Sequence, residues 1–281
     1  MRGWWQDLTD LVLPAECGGC GRSRTVLCPE CRAALSGPGA SRVRPVPEPY
    51  GLPVVHAAAR YADAVRAVLL AHKERGALAL AAPLGAALAE AVRAGLRQVP
   101  DADAETPVLL VPVPSTRAAV RARGHDPARR IALAAAGQLR REGLPARVVA
   151  VLRQRRAVAD QAGLNSRQRL RNLAGALAVA PGGARLLREG RVVLVDDLMT
   201  TGASLAEAAR AVRAAGPISY DGATTAVYTA VTREVRGEQA AGPAEREAGG
   251  MPGVPGMAGT ADVIHAAVVA APPDAFEINR N

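Results

Sequence analysis

Short apolar runs alternate with segments of helical periodicity along most of the chain. Five apolar runs have the length of a strand: 108–113, 148–152, 192–195, 223–231 and 264–270. Apolar residues recur at helical spacing in four further segments: 61–75, 78–96, 126–141 and 204–215. Buried strands separated by helices are typical of a mainly parallel sheet covered on both faces. The pattern therefore predicts an α/β fold.

Turn and capping residues mark where several of these elements begin and end. Asp126-Pro127 combines an N-cap with a proline at the first helical position, and Gly76 is a helix C-cap. Gly216-Pro217 ends the 204–215 helix.

Proline and glycine divide the chain into segments. Residues 36–53 contain five prolines and three glycines, which predicts a stiff linker between an N-terminal module, 1–35, and a main domain, 54–281. Residues 237–262 contain seven glycines and three prolines, which predicts a disordered insertion in that domain.

Composition argues against membrane insertion, secretion and extensive base stacking. No uncharged apolar stretch reaches the roughly 18 residues of a membrane span, so no membrane insertion is expected. Asp7 and Asp10 interrupt the apolar run near the N-terminus, unlike a secretory signal, and a cytoplasmic location is expected. Aromatic residues make up only 2% of the chain, so any nucleic-acid contact cannot depend on an extensive stacking array.

The positive charge is concentrated in one zone. The net charge is +9, yet residues 117–171 alone carry 14 arginines against three acids, a net of +11. Such a zone indicates a polyanion site, although a coding bias toward arginine would also raise the count. Lys73 is the one lysine in the chain.

Four cysteines form two close pairs, Cys17-x2-Cys20 and Cys28-x2-Cys31. In a reducing compartment this number and spacing predict a tetrahedral structural zinc site, with a redox switch as the alternative. Four thiolate ligands leave no open position for catalysis, so the metal is expected to stabilise a module too small for its own core.

The segment 192–204 carries the most specific chemistry. A buried strand runs into Asp196 and Asp197, and a turn leads into a helix. The turn 200–204 comprises a loop of Thr200, Thr201 and Gly202 followed by the helix start at Ala203 and Ser204. Ligands of open α/β sheets bind beyond the carboxyl ends of strands, and amides at a helix start bind anions. The segment predicts a phosphate site with two carboxylates that accept ribose hydroxyls or hold Mg²⁺ through water; the alternative is a turn that these acids merely cap.

This segment resembles the phosphoribosyl-pyrophosphate signature of type I phosphoribosyltransferases. Three further motifs extend the resemblance: CGGCG with CPEC at 17–31, VPVP with RGHD at 111–126, and QAGL with RN at 161–172. Together they resemble the ComF family of competence-associated phosphoribosyltransferase-like proteins, over residues 8–231. The resemblance implies a type I phosphoribosyltransferase fold with an N-terminal zinc finger.

The resemblance also implies roles for individual residues. Asp196 and Asp197 would engage the ribose hydroxyls, and 200–204 would surround the 5-phosphate. Pyrophosphate would contact Ser115, Thr116 and Arg117. A mobile loop closing over it would include Arg153, Arg155, Arg156 and Gln161.

Three positions complicate this picture. Thr200 stands where base-metabolising relatives often carry an acid, so it cannot act as a carboxylate base. His125 is interpreted as a packed side chain, with a ligand contact as the alternative. Lys73 matches a lysine of the family, and a ligand role and a simple helix-end cation remain equally open.

Two functions follow as hypotheses. The first is Mg²⁺-dependent transfer of a phosphoribosyl group from phosphoribosyl pyrophosphate to an unknown acceptor, with a role in DNA uptake. The second is a nonenzymatic adaptor that keeps the fold and handles single-stranded DNA together with a helicase-like competence protein.

Overall fold

The computed structural model describes residues 16–98, 106–156, 158, 165–216 and 264–279. The predicted strand at 223–231, the predicted insertion at 237–262 and Gln161 lie outside the described residues.

Strands and helices alternate along the described chain. The strands are β1 Ser41–Val43, β2 Val54–Arg60, β3 Val108–Pro112, β4 Ala146–Val148, β5 Leu152–Gln154, β6 Leu177–Val179, β7 Arg191–Leu198 and β8 His265–Ala271. The α-helices are α1 Pro29–Ser36, α2 Asp63–Glu74, α3 Ala81–Leu96, α4 Arg117–Arg123, α5 Pro127–Arg141, α6 Ser166–Leu173, α7 Gly183–Leu187 and α8 Ala203–Arg213. Short 3₁₀ helices cover Leu78–Leu80 and Pro273–Asn279.

Six strands form one sheet in the order β1-β2-β8-β7-β3-β4. Five of them are parallel, and β1 pairs antiparallel with β2 at one edge. Alternate residues of β3 enter two different cores: Leu110 packs with α2, α3 and α5, and Leu109 packs with α8. The predicted α/β fold with a mainly parallel sheet covered by helices is confirmed.

One apolar run was predicted as a single strand and is not one. Within 148–152, β4 ends at Val148 and β5 begins at Leu152, where it pairs antiparallel with β6 in a separate two-stranded ribbon. Val149 and Val151 between them are buried in the core beside α8. Burial makes a crossover as apolar as a strand, so the pattern could not separate the two.

The segment 36–53 contains a strand that the sequence did not predict. Ser41–Val43 forms β1, and Val43 is buried. Proline is tolerated beside a short edge strand, because an edge leaves some backbone N–H groups without a ladder partner.

The four-cysteine segment packs directly on the sheet's helices. Cys17, Cys28 and Cys31 belong to the same buried cluster as Val68 of α2 and Leu84 of α3. The module therefore shares the core of the larger fold.

One helical stretch among the described residues, Leu78–Leu96, has the length and apolar character of a membrane span. In its most apolar window, 61% of the residues are buried, against β2, β8 and α5. This burial is typical of a core helix.

Candidate functional site

The strand order places a switch point between β3 and β7. After β3 the chain moves outward to β4, and it later returns to β7 on the other side of β3. Pro112 pairs with Val195, and the Val113 N–H donates to the Val195 carbonyl over 2.9 Å. Loops beyond such neighbouring strand ends diverge and leave a crevice, which is where open α/β sheets bind ligands.

Asp196 and Asp197 lie at this edge of the sheet, among the last three residues of strand β7. The strand continues to Leu198, three residues beyond its predicted end, because β8 pairs with it there. The Asp197 N–H donates to Asp196 Oδ1 over 2.8 Å. Both acids line a cleft of about 620 Å³.

Lys73, near the end of α2, reaches the same acids. Its Nζ lies 2.9 Å from Asp197 Oδ2, and the Asp197 side chain is only 7% exposed. The ammonium therefore compensates a buried carboxylate inside the cleft. Of the two interpretations left open for Lys73, the contact favours a role in the site.

The pKa values of Asp196 and Lys73 are both shifted in this cluster. Burial raises the pKa of Asp196 well above its usual range, and the charge of Asp197 adds to the effect, against the opposing influence of Lys73. Burial alone would lower the pKa of Lys73, but the charges of Asp197 and Asp196 outweigh it and raise that pKa. A ligand that donates hydrogen bonds to Asp196 would stabilise its charged form.

The turn after β7 has the geometry that the sequence predicts. Gly202 has φ +73°, and a Cβ there would lie 3.1 Å from Leu52 and 3.2 Å from Pro45, so the position requires glycine. Helix α8 begins at Ala203, the next residue. Thr200 and Ser204 line the same cleft as the two acids.

The loop after β3 forms the opposite wall of the cleft. Ser115 and Thr116 line it, and the Ser115 N–H donates to Asp126 Oδ2 over 3.4 Å. Thr116 caps α4 by accepting from the Ala119 N–H over 3.1 Å. Arg117 instead lines an adjoining pocket of about 390 Å³.

That adjoining pocket gathers basic side chains from two elements. Arg117 and Arg121 come from α4, and Arg155 and Arg156 follow β5. Arg153 is exposed and lines neither cavity. The structure thus brings three of the predicted arginines to one pocket beside the cleft.

His125 packs inside the protein, as interpreted from the sequence. Its Nε2 lies 3.2 Å from the carbonyl oxygen of His72, and its Nδ1 lies 3.1 Å from that of Arg123. Because His72 precedes Lys73, this contact ties the turn before α5 to the residue that meets Asp197.

An ion pair between the buried Glu207 and the half-exposed Arg210 fixes the β5–β6 ribbon on α8. Glu207 Oε1 accepts the Leu177 N–H over 2.9 Å, and Arg210 donates to the Leu177 carbonyl over 2.9 Å and to Glu207 over 2.7 Å. Burial would raise the pKa of Glu207, but the bonds from Arg210 and backbone amides outweigh it and lower that pKa. Leu177 lines the cleft, so this pair holds one of its walls.

The four cysteines converge at the other end of the described chain. All four Sγ atoms lie within 4.8 Å of one another, and those of Cys20 and Cys28 are 3.6 Å apart. Thiolates around a tetrahedral zinc ion lie about 3.8 Å apart, given Zn–S bonds of about 2.3 Å. Cys17, Cys20, Cys28 and Cys31 can therefore hold a structural metal such as zinc.

Among the cysteines the pKa of Cys17 is lowered, whereas the pKa values of Cys28 and Cys31 are raised. Burial disfavours the charged form of Cys17, but the N–H groups of Cys28, Cys20 and Gly19 outweigh it and lower its pKa to about 6. A Cβ on Gly19 would lie 2.6 Å from Cys31 Sγ, so glycine is needed where the first pair approaches the second. Amides turned toward sulfur and a thiolate near neutral pH suit metal binding.

No protein-family model matches the chain, and no curated protein matches it.

Proposed function

We propose that the chain binds phosphoribosyl pyrophosphate with Mg²⁺ and transfers its phosphoribosyl group to an acceptor. The observation that carries the proposal is the shared cleft: the acid pair 196–197 lines it together with Thr200 and Ser204, at a switch point of the sheet. On this proposal the chain has a type I phosphoribosyltransferase fold and belongs to the ComF family.

Each wall of the cleft suits one part of this ligand. Asp196 and Asp197 accept hydrogen bonds from the two ribose hydroxyls, which offsets the desolvation of Asp196. The turn 200–204 offers hydroxyl and amide donors at the start of α8, where a phosphate is favoured. Ser115 and Thr116 contact the pyrophosphate, and the arginines of the adjoining pocket supply positive charge beside it.

The same acids suit a hard cation. Carboxylate oxygens are preferred ligands of Mg²⁺, and Asp196 and Asp197 would hold the ion through water while the diphosphate contacts it. The bound ion would neutralise negative charge on the departing pyrophosphate. Lys73 keeps the acid pair from carrying two uncompensated charges before the ligand arrives.

The reaction breaks the bond between ribose C1 and the diphosphate oxygen, and the electron pair leaves with pyrophosphate. The acceptor's nucleophilic atom forms the new bond to C1 and releases its proton. A positive, oxocarbenium-like ribose would be trapped by water, so the ribbon wall held by Glu207 and Arg210 serves by limiting solvent access. Thr200 cannot remove the acceptor's proton, so the acceptor must lose it without a carboxylate base at that position.

A pyrophosphate-release assay tests transfer. Purified protein is incubated with phosphoribosyl pyrophosphate and Mg²⁺ over a panel of candidate acceptors: nucleobases, amines and nucleic acids. Acceptor-dependent release that disappears on Asp196→Asn plus Asp197→Asn supports the enzyme. Binding of phosphoribosyl pyrophosphate with no release across the panel favours the second function.

The second candidate is a nonenzymatic adaptor that handles single-stranded DNA with a helicase-like partner. The adjoining pocket supports it, because four exposed arginines surround that pocket and none of its lining residues that the structure describes is an acid. DNA binding should weaken steeply between about 50 and 200 mM salt, and Arg155→Ala plus Arg156→Ala should reduce it. Saturating phosphoribosyl pyrophosphate should compete with DNA if both use this surface; unchanged DNA affinity rejects a shared surface.

A further inference from the structure

Arg169 connects α6 to the turn that follows β7. Its Nη1 donates a hydrogen bond to Thr200 Oγ1 over 3.0 Å. The start of α6 is fixed by a capping box, in which Asn165 and Gln168 exchange hydrogen bonds of 2.9 Å. Because α6 also packs on α8, the guanidinium is held against the turn by two ordered helices.

The described part of the protein leaves the charge of Arg169 uncompensated. Within the described ranges no carboxylate forms an ion pair with it, and its Nε is shielded from solvent without a hydrogen-bond acceptor. The Thr200 hydroxyl accepts one hydrogen bond but carries no charge. Burying the Nε–H without an acceptor is costly, and the remaining N–H groups of the guanidinium are accessible, so the position favours a negatively charged ligand that pairs with them.

We propose that Arg169 is a binding residue for the terminal phosphate of the phosphoribosyl ligand. The turn 200–204 supplies amide and hydroxyl donors, and Arg169 supplies the positive charge and a second pair of donors for the phosphate oxygens. The inference rests on the proposed function and deepens it. It makes the 5-phosphate, more than the ribose, the group that the protein selects at this end of the cleft.

Two probes separate this subsite from the rest of the cleft. Ribose 5-phosphate carries the terminal phosphate, and pyrophosphate carries the leaving group. Calorimetric titrations with each probe and Mg²⁺ are made on the wild-type protein and on Arg169→Ala. We expect ribose 5-phosphate to bind about 10- to 100-fold more weakly to the variant, the loss of one charge-assisted contact, and pyrophosphate to bind as before.

Arg167→Ala is the matched control. Arg167 lies on the exposed side of the same helix, and its loss changes the net charge equally. It should leave the affinity for ribose 5-phosphate unchanged. Arg169→Lys should recover part of that affinity, because a lysine keeps the charge without the planar fork. If Arg169→Ala unfolds, Arg169→Gln keeps the side-chain length and is titrated instead.

The titrations distinguish a failure of the role of Arg169 from a failure of the proposed function. If wild type binds phosphoribosyl pyrophosphate and Arg169→Ala binds ribose 5-phosphate as tightly as wild type, the role of Arg169 is overturned and the proposed function stands. Equal losses for ribose 5-phosphate and pyrophosphate would indicate general damage and also overturn it. If wild type binds none of the three ligands, the proposed function fails, and the role of Arg169 fails with it.

Discussion

Lys73 Nζ and Asp197 Oδ2 lie 2.9 Å apart, although one residue comes from α2 and the other from the end of β7. The pair joins α2, which packs beside the cysteine module, to the acids at the carboxyl end of β7. The pair also acts on the neighbouring Asp196: the charge of Asp197 contributes to the raised pKa of Asp196, and the charge of Lys73 opposes it.

Lys73→Met should lower the free energy of unfolding by about 1–3 kcal/mol, less than for a fully buried pair because the Lys73 side chain is a third exposed. The variant leaves Asp197 buried without its cation. Urea unfolding measures the change, and Lys73→Arg is the control that keeps the charge. Adding Asp197→Asn to Lys73→Met should recover part of the loss; a strictly additive double variant would contradict the coupling.

Freshly purified protein should contain about one zinc ion per chain under reducing conditions, bound by the four cysteines. Because three of these cysteines share a core with α2 and α3, a chelator should lower the melting temperature of the whole fold. Metal analysis and thermal melts with and without chelator check this. A metal-free protein with a disulfide in place of the free thiols would overturn the assignment.

Stability should fall as pH drops from about 6.5 to 4, through the buried His56. Burial, together with the charges of His265 and Arg42, lowers the pKa of His56 to about 4. The folded state then keeps His56 neutral over a range in which the unfolded chain binds a proton, and this favours unfolding by at most about 3 kcal/mol at the acid end.

His56→Leu provides the test of that pH dependence. The variant should lose part of the slope between pH 6.5 and 4, whatever its stability at neutral pH. The remaining slope includes His72, whose pKa burial also lowers. An unchanged slope in a folded variant would exclude His56 as its source.

Glu207→Gln should destabilise the fold by about 2 kcal/mol and speed hydrogen exchange at the Leu177 amide, which donates to Glu207. The amide side chain keeps the size but loses the charge that meets Arg210. Glu189→Gln, which breaks an exposed pair with Arg147, is the control and should change stability by less than about 1 kcal/mol. Equal effects of the two variants would argue against the clamp on the ribbon.

Local patterns in the sequence were sufficient to predict the alternation of strands and helices and the turn at 200–204. Each depends on residues close together in the chain: buried apolar runs, an N-cap at Asp126, and a glycine before α8. The paired cysteines belong to the same class, because their spacing alone brings two ligands together.

Such local patterns could not predict contacts between elements that are distant in the sequence. Nothing near Lys73 in the sequence signals that α2 ends beside Asp197, and nothing near Glu207 signals that it caps the β6 backbone. The run 148–152 was interpreted wrongly for a related reason, since burial against α8 comes from the tertiary fold. Arg117, the first residue of α4 after the Thr116 cap, lines the neighbouring pocket and not the cleft that the acids line.

Calorimetric titration of phosphoribosyl pyrophosphate with Mg²⁺ into wild type and into Asp196→Asn plus Asp197→Asn decides whether the cleft is a phosphoribosyl site. Wild type should bind, and the folded double variant should bind at least about tenfold more weakly, because it loses two charged acceptors for the ribose hydroxyls. A wild-type protein that does not bind, or a folded double variant with unchanged affinity, would contradict the assignment.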